Sequence, residues 1–151
     1  MRIAAMGVLM AGLVSGAGMA AAQSVAITAE QVVLTRQGGM AMVGSLASLM
    51  KAGVTAEADP KLYQEPAAAL AKWGTAYPAL FPDGTQNVGN TKAKAEIWSD
   101  RAGFEKANAA FVAASITLAE AAKSNDKAAF ATAFAEEGKT CVACHRNYRE
   151  R

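Results

Sequence analysis

Two thiols and an imidazole stand close together at Cys141, Cys144 and His145, in the run Cys-Val-Ala-Cys-His. Each thiol can add to one vinyl group of a haem. A histidine directly after the second cysteine can then bring its ring nitrogen to the iron. The C-x-x-C-H spacing therefore predicts one covalently attached haem c. Other chemistries match less well. A structural zinc ion takes about four ligands, and the chain has only two cysteines and one histidine. A redox dithiol of the thioredoxin kind follows a strand in a βαβ setting, and no strand pattern is evident. A plain disulfide, common in exported proteins, leaves His145 without a purpose. His145 is the only histidine, so two-histidine ligation within one chain is excluded. The sixth iron position is empty, or filled by water, a methionine or a small ligand.

Residues 1–22 read as a cleaved signal peptide. Arg2 is the only charge before Glu30, an apolar run follows it, and Ala20-Ala21-Ala22 offers small residues for a peptidase. The mature chain is expected to begin at Gln23 and to form one domain over 23–151, exported to the periplasm. The glycines of the leader make a poor spanning helix, which argues against a retained membrane anchor. Removing Arg2 lowers the basic count from 15 to 14, against 13 acids. Near neutrality argues against nucleic acid or an anionic membrane as the main partner.

Four helical stretches must position the motif. The first starts at Thr28, with Gln31 completing a capping box. It runs to about Lys51, ends at Gly53, and repeats Val33, Met40, Ala47 and Met50 on one face. Gly38-Gly39 inside it costs about 1 kcal/mol per glycine relative to alanine, and allows a close neighbour. The second spans roughly 60–77, with Asp59-Pro60 as its start and Leu62, Leu70, Trp73 and Tyr77 on one face. Pro66 either delays the regular helix to about Glu65 or bends it. Residues 79–95 are irregular. The third helix starts at Ser99 or Asp100 and runs to about Lys123, with Phe104, Asn108, Phe111, Ser115, Leu118 and Ala122 inward. The fourth runs from Lys127 to Arg149 and carries Phe130, Phe134, Gly138, Cys141, His145 and Tyr148 on its stripe. The expected fold is all-α: an antiparallel four-helix bundle with the haem attached to the C-terminal helix. The methionines after the leader are Met40, Met42 and Met50. Met40 and Met42 lie about 200° apart on the first helix, so they do not face the same haem.

Four segments, in order, resemble cytochrome c′, of the class II c-type cytochromes. They are Thr35-Arg36-Gln37-Gly38-Gly39-Met40, Leu80-Phe81-Pro82-Asp83-Gly84-Thr85, Glu96-Ile97-Trp98-Ser99-Asp100, and the stretch from Gly138 through the haem motif to Arg149. The resemblance implies a five-coordinate iron bound by His145 alone, with the side chain at Met40 shielding the opposite face. It implies entry of small gases such as nitric oxide and carbon monoxide, and a role in nitric oxide handling or electron transfer with an unidentified redox partner. It places Arg36 and Gln37 beside the haem propionates and Arg149 beside the proximal histidine. The rival reading is a low-spin class II cytochrome c in which Met40 is the sixth ligand and the protein is a pure electron carrier. A peroxidase is disfavoured, because glycine, alanine and valine surround Met40 and no second histidine exists to move protons. In many relatives of this kind the second helix helps to form a homodimer; the resemblance makes a homodimer a candidate here, with Pro66 in that helix placing it in doubt. Gly38-Gly39 replaces bulkier residues and is expected to enlarge the distal pocket.

Overall fold

The computed structural model describes residues 26–151; the expected leader and its cleavage before Gln23 lie outside them. Four long helices make an antiparallel bundle: α1 (Ala29–Thr55), α2 (Gln64–Ala76), α3 (Arg101–Ser124) and α4 (Lys127–Tyr148). Among the described residues the only β pairing is an isolated bridge between Ala93 and Arg149. No described helix is long and apolar enough to cross a membrane.

The capping box forms as the sequence implies. Gln31 N donates to Thr28 Oγ1 at 3.2 Å, and Thr28 N donates to Gln31 Oε1 at 2.8 Å. The far end of α1 differs from expectation, because Gly53 lies inside the helix. The glycine is buried, and a side chain there would overlap the Tyr63 ring. The helix stops instead at Glu57, which adopts the left-handed region at φ 50°. Glu57 N then bonds Val54 O, and Ala58 N bonds Gly53 O, the paired closure that ends many helices.

Asp59 caps a 3₁₀ turn, Pro60–Tyr63, before α2 begins at Gln64. Pro66 thus falls in the first turn of α2, where its missing N–H has no intrahelical partner to lose. The helix is delayed, not bent. Leu62 is 68% exposed, contrary to its expected place on the inward face. It belongs to the 3₁₀ turn, whose tighter pitch rotates it off that face. The side of α2 turned to the core is Ala67, Leu70 and Gly74.

A one-turn helix, Glu96–Ser99, leads into α3, whose N-cap is Asp100. The six residues expected to face inward on α3 are its buried residues. Asn125, at φ 62°, closes α3, and Asp126 caps α4 through Ala129 N at 2.9 Å. Burial on α4 follows Phe130, Ala133, Glu137 and Tyr148, so the expected stripe through Phe134, Gly138 and His145 lies to one side of it. The core has two parts. Met50, Leu70, Leu118 and Phe130 anchor one. Phe81, Ile97, Phe104 and Tyr148 form the other, with ring centroids 5.0 to 5.5 Å apart along Phe81–Phe104–Tyr148. Cys141 packs on the first part and Cys144 on the second, so the motif bridges the seam.

Candidate functional site

One cavity of about 610 Å³ opens at that seam, a size usual for cofactor pockets. Cys141, Cys144 and His145 on α4 form one wall. Met40, Val43, Gly44 and Ala47 on α1 form the facing wall. Tyr77 and the segment Thr91–Ala93 close the sides. Arg36, Gln37 and Arg149 also border the cavity, so all seven candidate haem-contacting residues line this one place. Met42 does not share it and is 62% exposed.

The α4 wall has the donors that a c-type haem needs. Cys141 and Cys144 are free thiols, not a disulfide. Burial pushes the Cys141 thiol up to about 12, and the nearby Glu137 charge adds to that. Burial also raises Cys144. His145 is held below its ordinary value, first by burial and then by the Arg149 charge. Its imidazole is therefore neutral at pH 7 and keeps a lone pair for a metal. A flat apolar ring with two acidic substituents suits a slot with apolar long walls and with Lys92 and Arg149 at its border. The residues present fit the group.

Arg36 is 2% exposed. Its Nη1 donates to Leu80 O at 3.1 Å and Thr85 Oγ1 at 3.0 Å. Its Nη2 donates to Thr85 O and Thr91 Oγ1, each at 2.9 Å. The guanidinium lies 4.5 Å from the Phe81 ring centroid. Both terminal nitrogens are thus spent on the loop after α2. Gln37 Nε2 likewise donates to Asn90 O at 2.9 Å. The loop is fastened on its other side by Lys94 N to Tyr148 O at 3.1 Å and Glu150 N to Lys92 O at 2.8 Å. Tyr148 Oη donates to Asp100 Oδ2 at 2.9 Å, tying the end of α4 to the start of α3.

The paired glycines of α1 do different things. A side chain at Gly39 would overlap the Trp73 indole, whereas Gly38 faces open space. Neither borders the cavity, so the room expected there from Gly38-Gly39 comes instead from Gly44 and Ala47. Sequence reasoning placed Tyr77 on the inward face of the second helix but not at the cavity, where burial pushes its hydroxyl up to about 12. It missed Glu137, buried one turn before Cys141. The four-residue spacing to Cys141 was the available signal.

The family model for cytochrome c′ matches residues 31–149. The cytochrome c′ of Rhodospirillum rubrum is 36% identical over 112 residues, covering 72% of this chain and 76% of that protein. A solved cytochrome c′ described as having an unusual ligand-controlled dimer dissociation superposes with a TM-score of 0.78 at 31% identity, covering 83% of this chain and 99% of that one. Two variants of the Alcaligenes xylosoxidans protein, one in complex with nitric oxide and one with carbon monoxide bound, each give a TM-score of 0.74 at 29% identity, covering 82% of this chain and 98% of theirs.

Proposed function

Since the chain belongs to the cytochrome c′ family and carries haem c covalently, we propose that it is a periplasmic gas-binding protein with His145 as the only axial protein ligand. When bound, the haem supplies an iron with one open axial position and a one-electron couple. Cys141 and Cys144 hold the ring against α4 from the two halves of the core. His145 offers a neutral nitrogen to one face. Met40 covers the other as a plug, its flexible thioether lying over the ring. Arg36 and Gln37 shape the edge of the pocket through the loop they hold, and Arg149 sets a positive charge beside His145.

The observation that carries this reading is the α1 wall. Met40, Val43, Gly44 and Ala47 offer no acid, base or hydrogen-bond donor in their side chains. Such a wall suits a small neutral ligand, nitric oxide or carbon monoxide, and lacks the proton-moving groups of a peroxidase. The gas complexes of the A. xylosoxidans relative support it. Electron exchange with a redox partner is compatible with the same site. A homodimer is also proposed. Leu34, Met42 and Leu49 are exposed on one side of α1, and Pro66, within the first turn of α2, does not interrupt that side.

Absorption spectra of the oxidised and reduced holoprotein test the reading, together with Met40→Ala. High-spin spectra are expected in both proteins, with carbon monoxide binding about tenfold faster in the variant, about 1.4 kcal/mol off the barrier. A low-spin wild type that Met40→Ala turns high-spin would make Met40 the sixth ligand and the protein an electron carrier.

A further inference from the structure

We propose that Glu137 is a proton-binding site coupled to the haem electron: its carboxylate takes up a proton when the iron is reduced and releases it on oxidation. The inference rests on the reading above, in which Cys141 anchors the ring and His145 binds the iron.

Glu137 is 1% exposed on the core side of α4, in line with Phe130 and Ala133. A buried carboxylate is costly without a cation or several donors. None of the ion pairs among the described residues includes Glu137. The Thr140 hydroxyl donates to its backbone oxygen, not to the carboxylate. Among the described residues its one side-chain partner is the Cys141 thiol, with Sγ 3.6 Å from Oε1. Burial raises the acid above the ordinary carboxyl value, and the Cys141 bond offsets this in part. Among the described residues none of the charged groups on the helices packed against α4 forms an ion pair with Glu137: Glu30, Arg36 and Lys51 on α1, and Arg101, Glu105, Lys106, Glu120 and Lys123 on α3.

Attachment of the ring changes this balance. Adding the Cys141 thiol to a vinyl group makes a C–S bond and moves the thiol hydrogen to carbon. The carboxyl then loses the thiol donor, and the proton is held more tightly. The ring hangs on the very sulfur that Glu137 touches, and burial of the carboxylate limits the solvent that can screen a charge there. One electron, delivered by a donor protein or an electrode, adds one negative charge at the iron. One proton from solvent converts the Glu137 carboxylate to the acid and restores the local charge. The reduced protein therefore binds the proton more tightly than the oxidised one. The reduction potential must fall as pH rises between the two proton affinities, by up to about 59 mV per tenfold change in proton concentration.

Spectroelectrochemical titration of the holoprotein over a range of pH tests the proposal, with Glu137→Gln as the isosteric variant and Glu137→Leu as an apolar one. Wild type should show the falling segment. Both variants should lose it and stay at the acid plateau. In the infrared difference between reduced and oxidised protein, wild type should gain a protonated-carboxyl band that Glu137→Gln lacks. A flat wild-type profile, or a falling segment kept in both variants, overturns the proposal and assigns any proton to the propionates or the proximal histidine. The mass of the mature chain separates the two levels. No haem adduct overturns the functional reading as well, whereas an adduct with an unchanged pH profile overturns this proposal alone.

Discussion

Arg36 spends its planar fork on the protein. Four acceptors from Leu80, Thr85 and Thr91 saturate its two terminal nitrogens, and the ring of Phe81 lies beneath it. A lysine ammonium cannot serve acceptors spread over that plane. Arg36→Ala should lower the stability of the holoprotein by about 3 kcal/mol in urea unfolding, since buried acceptors lose charge-assisted bonds, and Arg36→Lys should recover less than half of the loss. An unchanged unfolding midpoint would show that the loop holds itself. These partners were not legible in the sequence, because nothing in residues 80–91 says where an irregular segment turns its carbonyls. Cys141, Cys144 and His145 were legible because the attachment chemistry itself dictates their spacing. Glu137 was hidden for the opposite reason: a glutamate in an alanine-rich helix reads as solvated surface.

At the level of elements, the buried stripe of α3 was legible because its heptad-like spacing runs without a break from Phe104 to Ala122, with Asn108 and Ser115 as its polar members. Boundaries were harder. Gly53 looks like a stop, yet its lack of a side chain is used for packing, and the true stop relies on a glutamate in the left-handed region. The adjacent glycines of α1 make the same point and give a paired test. Gly38→Ala meets nothing and should stabilise the protein by about 0.5–1 kcal/mol through helix propensity. Gly39→Ala must displace Trp73 and should cost about 1–3 kcal/mol. Thermal unfolding of both variants measures the difference in sign; two shifts in the same direction would mean that α1 and α2 are not in the close contact described.

For the molecule as a whole, the bundle was foreseeable from four amphipathic segments and short links, while its surface partners were not. Leu34, Met42 and Leu49 fall within about 80° of arc on α1, and each is more than half exposed. If that stripe joins two copies, Leu34→Asp combined with Met42→Asp should leave the absorption spectrum unchanged and shift the sedimentation profile to monomer. A wild type that is already monomeric at micromolar concentration, or a double variant that remains dimeric, would remove the stripe from that role. The fastening of the long loop has a consequence of another kind, in the order of folding. The bonds from Arg36 to the loop close separations of 44 to 55 residues, and the bond from Lys94 N to Tyr148 O closes one of 54. Contacts so distant along the chain form late, after the local helices and the α3–α4 hairpin. The rim of the pocket is thus the last part of the molecule to take shape, set only once distant stretches of chain have met.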